Sequence, residues 1–261
     1  MLRIRIIPIL LWANGGLVKS LQFRRDRYIG DPINTIRIFN EKCADEIALL
    51  DVTATIEKKE PNYALVEECA SECFMPLAYG GGISSVDHIA KLFSLGVEKV
   101  IINTAAYENL NWISEAVQQF GGQSIVISVD VNKQLFGGYF AVVNRGRRRA
   151  PCDLVEHIHR CQDVGIGEII VTAVHTDGVM KGYDLELIRF LSPHIRVPFV
   201  VSGGAGVFAH FESAIAAGAD AVAGGSFFVF HGKHRAVLVT YPAEHEMVSL
   251  TMSFPYGLIS K

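Results

Sequence analysis

Short runs of aliphatic and β-branched residues alternate with longer amphipathic stretches along the whole chain. The short runs have the length and composition of buried strands, and most stretches between them have helix length. This alternation is typical of βα units that build a parallel sheet. The pattern predicts eight strands, at residues 5–10, 46–51, 76–79, 99–103, 124–130, 168–173, 198–201 and 219–223.

Local signals mark several helix boundaries. Asp31-Pro32 reads as a helix cap followed by a first-turn proline, and Gly96 and Gly218 each follow a helical stretch. Eight strands without a low-complexity linker predict a single (β/α)8 barrel, a fold that needs about 250 residues. A doubly wound sheet is the alternative on pattern alone. We assign residues 1–261 to one TIM-barrel domain, with the barrel at about 3–230 and a divergent C-terminal segment at 231–261.

Two segments of the chain, residues 76–100 and 198–222, repeat each other without a gap. The offset of 122 residues (198 − 76) is close to half the chain length. The shared pairs are Pro76/Pro198, Gly81/Gly203, Gly82/Gly204, His88/His210, Gly96/Gly218 and Val100/Val222. Halves that repeat in this way predict a barrel built of two (βα)4 half-barrels, which a doubly wound fold would not require.

The composition narrows the function classes. The chain has 24 Lys and Arg against 27 Asp and Glu, and this net charge of -3 argues against a nucleic-acid partner. No apolar run approaches the roughly 20 residues of a membrane helix, so no membrane partner is expected. Five widely spaced cysteines, an odd number, suggest a reducing compartment, and we predict a cytoplasmic protein. No metal site and no cofactor are predicted.

Glycine-rich turns follow the third and seventh predicted strands, at Gly80-Gly81-Gly82 and at residues 202–206. In a parallel barrel such turns lie at the C-terminal mouth, where backbone N–H groups can bind phosphate. A tight strand-to-helix connection is the alternative for either turn alone. Two repeat-related turns favour a substrate with a phosphate at each end. The turns after strands three, four, seven and eight supply the candidates Gly81, Gly82, Asn103, Thr104, Gly203, Gly204, Gly225 and Ser226.

Carboxylates also fall near predicted strand ends, at Asp51, Asp130 and Asp177. An enclosed barrel mouth shifts a carboxyl pKa toward working pH, so these residues are candidates for acid–base catalysis. A structural carboxylate is the alternative for Asp51 and Asp130, and a turn residue is the alternative for Asp177. Lys19 lies in a polar segment, residues 14–30, that we predict to be a loop reaching over the substrate. A solvated lysine is its alternative interpretation.

Four charged residues stand at or near the starts of predicted strands one, two, four and six: Arg5, Glu46, Lys99 and Glu168. Charge close to a barrel core is costly unless it is paired. The pattern therefore predicts a ring of paired charges that gates the N-terminal end, with a solvated barrel bottom as the alternative. The basic run at residues 145–149 is predicted to be a solvated loop near the mouth, with phosphate contact as its alternative.

Taken in order, these motifs resemble the HisF family, the cyclase subunit of imidazole glycerol phosphate synthase. The resemblance runs from about Arg3 to Phe230 and rests on IIP, GDP-x7-N, LLDVTAT, GGGI, INTAA, GYDLE and SGGAG. It implies ammonia entry from a HisH-like glutaminase at the N-terminal face and reaction with a phosphorylated small molecule at the mouth. It further implies that the four paired charges form the ammonia gate, that Asp177 and Gly178 bind phosphate, and that Asp130 is catalytic.

The first strand departs from that family. The family's second catalytic aspartate is replaced by Leu11, and the segment at residues 227–238 (FFVFHGKHRAVL) differs from the usual last helix. Both departures resemble a HisF-like branch associated with surface-polysaccharide (O-antigen) biosynthesis. That branch is implied to support conversion of an acetamido into an acetamidino group on a nucleotide sugar, with a glutaminase and a separate amidotransferase. The histidine-pathway cyclase, and a non-catalytic glutaminase activator and ammonia conduit, remain alternatives.

Overall fold

The computed structural model describes residues 3–135 and 137–254. The strands in this part of the chain are β1 Ile6–Ala13, β2 Gly16–Leu21, β3 Arg24–Gly30, β4 Ile47–Asp51, β5 Leu77–Gly80, β6 Lys99–Ile102, β7 Ile125–Lys133, β8 Tyr139–Val143, β9 Arg148–Arg149, β10 Glu168–Ala173, β11 Phe199–Ser202, β12 Ala221–Gly224, β13 Phe230–His231 and β14 Ala236–Val237. The α-helices are α1 Pro32–Glu41, α2 Tyr63–Glu72, α3 Val86–Ser94, α4 Thr104–Glu108, α5 Asn111–Phe120, α6 Leu154–Asp163, α7 Leu185–Leu191, α8 Ala209–Ala216, α9 Ser226–Val229 and α10 Glu244–Ser253.

Eight parallel strands form a closed barrel. They follow one another in the order β1, β4, β5, β6, β7, β10, β11 and β12, and a final parallel ladder between β12 and β1 completes the circle. Helices follow these strands, so the predicted single (β/α)8 barrel is confirmed. All eight predicted strands are present, with ends displaced by up to three residues.

The predicted helix boundaries have the expected geometry. Asp31 caps α1, because its side chain accepts a hydrogen bond of 2.9 Å from the backbone N–H of Asn34. Pro32 is the first residue of that helix, where its missing N–H costs nothing. Gly96 and Gly218 have φ values of 98° and 113°, the left-handed backbone that commonly ends a helix.

The internal repeat extends to the architecture. Strands β11 and β12 begin and end 122 residues after β5 and β6 (199 − 77 and 221 − 99). Repeat-related histidines also make the same contact. His88 Nδ1 accepts a hydrogen bond from the Ser84 N–H (3.3 Å), and His210 Nδ1 accepts one from the Gly206 N–H (3.1 Å). The two halves therefore share backbone geometry as well as sequence.

Two apolar clusters account for the barrel's packing. The larger lies between the strands and the helices and includes Phe39, Tyr79, Phe199 and Phe228, all fully buried. The smaller cluster holds residues two apart on the strands, which therefore point to the barrel axis. Its members are Ile7, Ile9, Leu11, Ala13, Val18, Ala48, Ala78, Ile101, Val126, Ile170, Val200, Ala221 and Ala223.

The prediction of a polar loop at residues 14–30 is wrong. The segment forms β2 and β3, an antiparallel pair that we call the mouth hairpin, and β2 pairs antiparallel with the last three residues of β1, Leu11 to Ala13. In β2, Leu17, Val18, Lys19 and Ser20 are buried, whereas most of β3 is exposed. The alternation predicted a loop because β3, with sequence RRDRYIG, has no buried face to give it a strand pattern.

The segment after the barrel is held against its N-terminal end. Tyr241 Oη donates to the Ile6 carbonyl (2.9 Å) and accepts from the Asp45 N–H (3.1 Å). In α10, Met247 and Leu250 are buried. Residues 255–261 of the divergent C-terminal segment lie outside the described part of the chain. No helix within residues 3–135 and 137–254 is long and apolar enough to cross a membrane.

Phe228 joins the last part of the barrel to the first helix. Its ring stacks on Tyr241 and meets Phe39 edge-on, with centroids 5.9 and 6.2 Å apart. We expect Phe228→Ala to lower the free energy of unfolding by about 3–5 kcal/mol, because it leaves a cavity in a fully buried aromatic cluster. Phe190→Ala is the control, since Phe190 is 44% exposed. Urea unfolding would contradict this assignment if both variants lost similar stability.

Candidate functional site

A cavity of about 870 Å³ opens at the C-terminal ends of the barrel strands. Its size lies in the upper part of the range for small-molecule sites, far above what ammonia alone would need. Of the fourteen predicted catalytic and phosphate-binding positions, counting Leu11, ten line it: Leu11, Lys19, Asp51, Gly81, Gly82, Asn103, Thr104, Asp130, Asp177 and Gly225. We call Gly81, Gly82, Asn103 and Thr104 the first cradle.

Four other predicted residues, Gly178, Gly203, Gly204 and Ser226, are not among those that line this cavity. Other backbone segments pack closely against these glycines. A Cβ on Gly204 would lie 2.1 Å from the Gly182 carbonyl oxygen, and one on Gly178 would lie 2.4 Å from that of Ser20. The first cradle is packed as closely, since a Cβ on Gly81 would lie 2.3 Å from the Asp51 carbonyl oxygen. Tight backbone approach therefore does not separate the two turns, and phosphate binding at either stays a prediction.

Asp130 lies on β7, is 8% exposed, and faces the cavity. Burial raises the pKa of its carboxyl to about 7, and the nearby Asp177 adds to the shift. Asn103 Nδ2 donates a hydrogen bond of 2.9 Å to Asp130 Oδ2, which partly offsets the shift by stabilising the carboxylate. A carboxyl that titrates near pH 7 is suited to exchanging protons with a ligand.

Leu11 occupies the position related to Asp130 by the internal repeat. In β1 it pairs with Leu50 of β4, whereas in β7 Asp130 pairs with Thr172 of β10. Leu50 and Thr172 are themselves 122 residues apart, the repeat offset. Leu11 is 8% exposed and packs in the axial apolar cluster. One half-barrel thus presents a carboxyl to the cavity where the other presents an aliphatic wall.

Lys19 is buried rather than solvated. It is 6% exposed, and its Nζ donates a hydrogen bond of 2.9 Å to the Ile9 carbonyl. Gly225 leaves room for the lysine, because a Cβ at this position would overlap Lys19 Nζ. Burial lowers the pKa of Lys19 to about 8, although the charge of Asp177 opposes the shift. Burial raises the pKa of Asp177, and the positive charge of Lys19 opposes that rise.

Asp51 is the last residue of β4, and one of its carboxylate oxygens stabilises the turn that follows. Its Oδ1 accepts hydrogen bonds from the Thr53 N–H (2.9 Å), the Thr53 hydroxyl (2.8 Å) and the Ala54 N–H (3.0 Å). These bonds fix the turn that leaves the strand. Asp51 still lines the cavity, so a catalytic role for it stays a prediction.

The four charges at the strand starts meet in one cluster, which we call the charge ring. Arg5 contacts Glu46 at 2.7 Å and Glu168 at 2.5 Å. Lys99 lies 2.8 Å from the same oxygen of Glu46 and 3.5 Å from Glu168. The glutamate side chains are 6% exposed, and the cationic ones 21–29%. Parallel strands start at one end of a barrel, so the ring covers its N-terminal opening.

Sequence reasoning missed several residues of the cavity. Ser128 and Thr172 line it and are buried, and Ser128 lies two residues before Asp130 on the same strand face. Period-two alternation from Asp130 would have found Ser128. The mouth hairpin contributes Ser20 and Phe23, which no local signal indicated. Within the described residues, no group of three His, Cys, Asp or Glu side chains is placed to hold a metal ion.

The comparison with protein families gives one match. The model described as "Histidine biosynthesis protein" covers residues 5–235, which is most of the chain. A protein of Streptomyces avermitilis named imidazole glycerol phosphate synthase subunit HisF is 40% identical over 229 residues, 88% of this chain and 91% of the relative. This chain belongs to the HisF family. The resemblance drawn from the motifs is thereby confirmed.

Other HisF relatives are more similar still. A Pseudomonas aeruginosa protein, provisionally named imidazole glycerol phosphate synthase subunit HisF2, is 47% identical and covers 93% of this chain and 97% of its own length. A Leptospira borgpetersenii protein, provisionally named HisF, is 44% identical over 93% of this chain and 96% of its own length. As a HisF-family member, the chain is a synthase subunit of the imidazole glycerol phosphate synthase type.

The raised pKa of Asp130 predicts a specific pH response. The folded value of about 7 exceeds the unfolded value of about 4, so the folded state holds this proton more tightly. The free energy of unfolding therefore loses a contribution as pH rises from about 4 to about 7. We expect Asp130→Asn to flatten that part of the stability profile.

Carboxyl NMR would test this assignment directly, with Asp130→Asn identifying the resonance. Asn103→Ala should move the midpoint above pH 7, because it removes the hydrogen bond that favours the carboxylate. A midpoint below pH 5 in the unaltered protein would contradict the analysis.

The charge ring predicts unequal effects for its two cations. Arg5→Met should lower the free energy of unfolding by about 3–5 kcal/mol, because two buried carboxylates lose their bridging partner. Lys99→Met should cost less, since Arg5 still contacts both glutamates. Equal losses in urea unfolding at neutral pH would show that Arg5 does not hold the ring together.

Proposed function

We propose that this HisF-family barrel receives ammonia from a HisH-like glutaminase at its N-terminal face and releases it at the cavity on the opposite face. We further propose that the acceptor is an N-acetylated nucleotide sugar, whose acetamido group becomes an acetamidino group in surface-polysaccharide biosynthesis. A separate amidotransferase is assigned the activation of the acetamido oxygen by a nucleoside triphosphate. Ammonia then forms the new C–N bond, and the oxygen leaves with the phosphoryl or nucleotidyl group it has received.

The observation that carries the proposal is Leu11 opposite Asp130. A leucine side chain cannot accept or donate a proton, and loss of one member of an acid–base pair typically costs about 10²–10⁴-fold in rate. The cavity wall around Leu11 also includes Ile9 and Leu50. A cyclase that needs two carboxylates is therefore disfavoured, whereas delivery of ammonia requires neither.

The barrel interior supports the ammonia path. The charge ring stands at the entrance, and apolar residues of the axial cluster, including Ala48, Ala78 and Ala223, follow it. Ser128, Thr172 and Ser202 come next, at the cavity. An apolar stretch disfavours the ammonium ion and favours neutral ammonia, because burial of an unpaired charge is costly. This order of layers suits transfer of a small neutral base.

The relatives fit a branch distinct from the histidine pathway. Those named HisF without a provisional qualifier are 38–40% identical to this chain, whereas four provisionally named relatives, one called HisF2 and one HisF3, are 43–47% identical. The higher identities lie with the proteins whose histidine role is only provisional. We take this as support for a branch apart from the relatives named without that qualifier, whereas the acetamidino-sugar acceptor rests on the resemblance of Leu11 and residues 227–238 to such a branch.

The histidine-pathway cyclase is the second candidate. Asp130 and the first cradle line one cavity, so much of a cyclase site is in place. A barrel that only activates its glutaminase and conducts ammonia is the third, and Leu11 favours it over the cyclase. Turnover of the histidine-pathway substrate separates these candidates.

The decisive assay supplies the phosphoribulosyl-formimino aminoimidazole carboxamide ribonucleotide with a high concentration of ammonium salt and no partner protein. We expect no turnover by the unaltered chain and measurable turnover by Leu11→Asp, because that variant restores the second carboxyl beside the cavity. Leu11→Asn is the matched control, since asparagine has nearly the shape of aspartate but no acidic group.

Turnover by the unaltered protein would make the chain a histidine-pathway cyclase and overturn the proposal. Turnover by neither protein would favour delivery to another acceptor, which is then tested with an N-acetylated nucleotide sugar, glutamine, a nucleoside triphosphate and both partner proteins. Formation of the acetamidino sugar only when this chain is present is the expected result. Its formation in equal amount without this chain would refute the proposal.

A further inference from the structure

Three basic segments lie beside one another at the mouth of the cavity. They are residues 24–27 of the mouth hairpin, residues 145–149, which we call the arginine turn, and residues 231–235, which lead from β13 to β14. These segments hold nine Lys and Arg residues and one acid, Asp26. We call the nine cations the basic rim. They are Arg24, Arg25, Arg27, Arg145, Arg147, Arg148, Arg149, Lys233 and Arg235.

Contacts between the three segments make the basic rim one surface. Arg145 of the arginine turn forms an ion pair with Asp26 of the mouth hairpin. Arg27 Nη1 donates a hydrogen bond of 3.3 Å to the Arg235 carbonyl, and the Arg27 guanidinium lies 5.2 Å from the centroid of the Phe230 ring. The mouth hairpin therefore joins the other two segments. Because Arg145 also lines the cavity, the rim stands beside the opening.

The basic rim concentrates positive charge in a chain that is acidic overall. Its three segments carry a net charge of +8 (9 − 1), whereas the remainder of the chain carries −11 (15 − 26). Seven of the nine cations are exposed, and Arg145 and Arg235 are half-buried. Within residues 3–135 and 137–254, Arg145 is the one rim cation that forms an ion pair. So large a local excess of one charge is suited to steering and holding a partner of the opposite charge.

Exposed apolar side chains lie next to these cations. In the mouth hairpin, Leu21 and Tyr28 are 42% and 66% exposed. Val237 and Leu238, just after the third segment, are 42% and 54% exposed. Arginine combined with exposed aromatic and aliphatic groups is typical of protein interfaces. A long nucleic acid is disfavoured, because the negative charge of the remaining surface repels it.

The place of the basic rim indicates what its partner does. Ammonia that escapes into open water is protonated, and ammonium has no free electron pair with which to attack an acceptor. Transfer to an acceptor on another protein therefore needs that protein to cover the cavity mouth and exclude water. A partner held by the rim lies beside that opening.

We propose that the basic rim docks an acidic face of the amidotransferase that consumes the ammonia, and that this contact holds the amidotransferase over the cavity mouth. This inference rests on the proposed function for the identity of the partner. The glutaminase is assigned to the opposite end of the barrel, so the two partners do not compete for one surface.

Charge reversal at Arg24 and Arg25 tests the proposal. Both residues are exposed and outside the cavity lining, and neither side chain makes a hydrogen bond or ion pair within residues 3–135 and 137–254. The complex of this chain with its glutaminase should bind purified amidotransferase. Arg24→Glu/Arg25→Glu should weaken that binding about tenfold or more at low salt, chiefly through slower association. High salt should narrow the difference, because it screens exposed charges.

Two further variants serve as controls. Arg160→Glu/Arg189→Glu reverses the same number of charges at exposed positions on α6 and α7, outside the basic rim. It should leave the affinity within about twofold, because distant exposed charges are screened. Arg24→Gln/Arg25→Gln should fall between the unaltered protein and the reversed variant, since it removes attraction without adding repulsion.

Coupled turnover gives a second measurement. With glutamine as the source of ammonia, Arg24→Glu/Arg25→Glu should form the acetamidino sugar more slowly, while glutamine hydrolysis continues at the rate of the unaltered complex. With ammonium salt in place of glutamine, the two proteins should give equal rates, because dissolved ammonia reaches the amidotransferase without docking.

Several outcomes would overturn the docking proposal. No binding of the amidotransferase by the unaltered complex removes its basis, and equal binding by Arg24→Glu/Arg25→Glu places the contact elsewhere. Equal weakening in Arg160→Glu/Arg189→Glu indicates general attraction to positive charge. Rim-dependent binding of duplex DNA or of phosphatidylglycerol vesicles, without binding of the amidotransferase, assigns the basic rim to another polyanion.

The docking proposal and the proposed function can fail separately. Rim-dependent binding without acetamidino sugar from either ammonia source would refute the proposed acceptor and leave the docking surface in place. Formation of that sugar from glutamine at equal rates with Arg24→Glu/Arg25→Glu and the unaltered chain, with equal binding, would refute the docking surface alone.

Discussion

Closure of the eight parallel strands is the constraint on which both ends of the molecule depend. It brings Arg5 against Glu46 and Glu168, residues 41 and 163 positions away in sequence. Each of these charges alone would be costly at the end of an apolar barrel, and together they compensate one another. The same closure gathers strand ends from both halves around one cavity, so that residues distant in sequence act on a single ligand.

The two halves of the barrel match in their strands and differ in the residues at the mouth. Strand bounds and histidine contacts recur at an offset of 122 residues, because both halves must supply the same ladder geometry. At the mouth no such requirement holds. Leu11 stands opposite Asp130, and Lys19 from the mouth hairpin fills space beside Gly225. Asymmetry there gives the cavity a polar side and an apolar side.

The proton chemistry of the cavity follows from this asymmetry. Burial brings the pKa of Asp130 up to about 7 and that of Lys19 down to about 8, so a carboxyl and an amine of nearly matched pKa share one site. Neither faces a second carboxyl on β1. Such a site can exchange single protons with a bound ligand, and its apolar wall favours the neutral form of a small base.

The sequence by itself determined the parts governed by local burial and by repetition: the eight strands, the caps at Asp31 and Gly96, the half-barrel repeat and the candidates for the charge ring. Burial periodicity reports which side of an element is covered, and repetition reports equivalent backbone. Only the tertiary structure decided that residues 14–30 form a hairpin, that Lys19 is buried, and that other backbone segments pack closely against Gly203 and Gly204. These features depend on contacts between segments far apart in the chain, and no local pattern encodes which segment will cover which strand end.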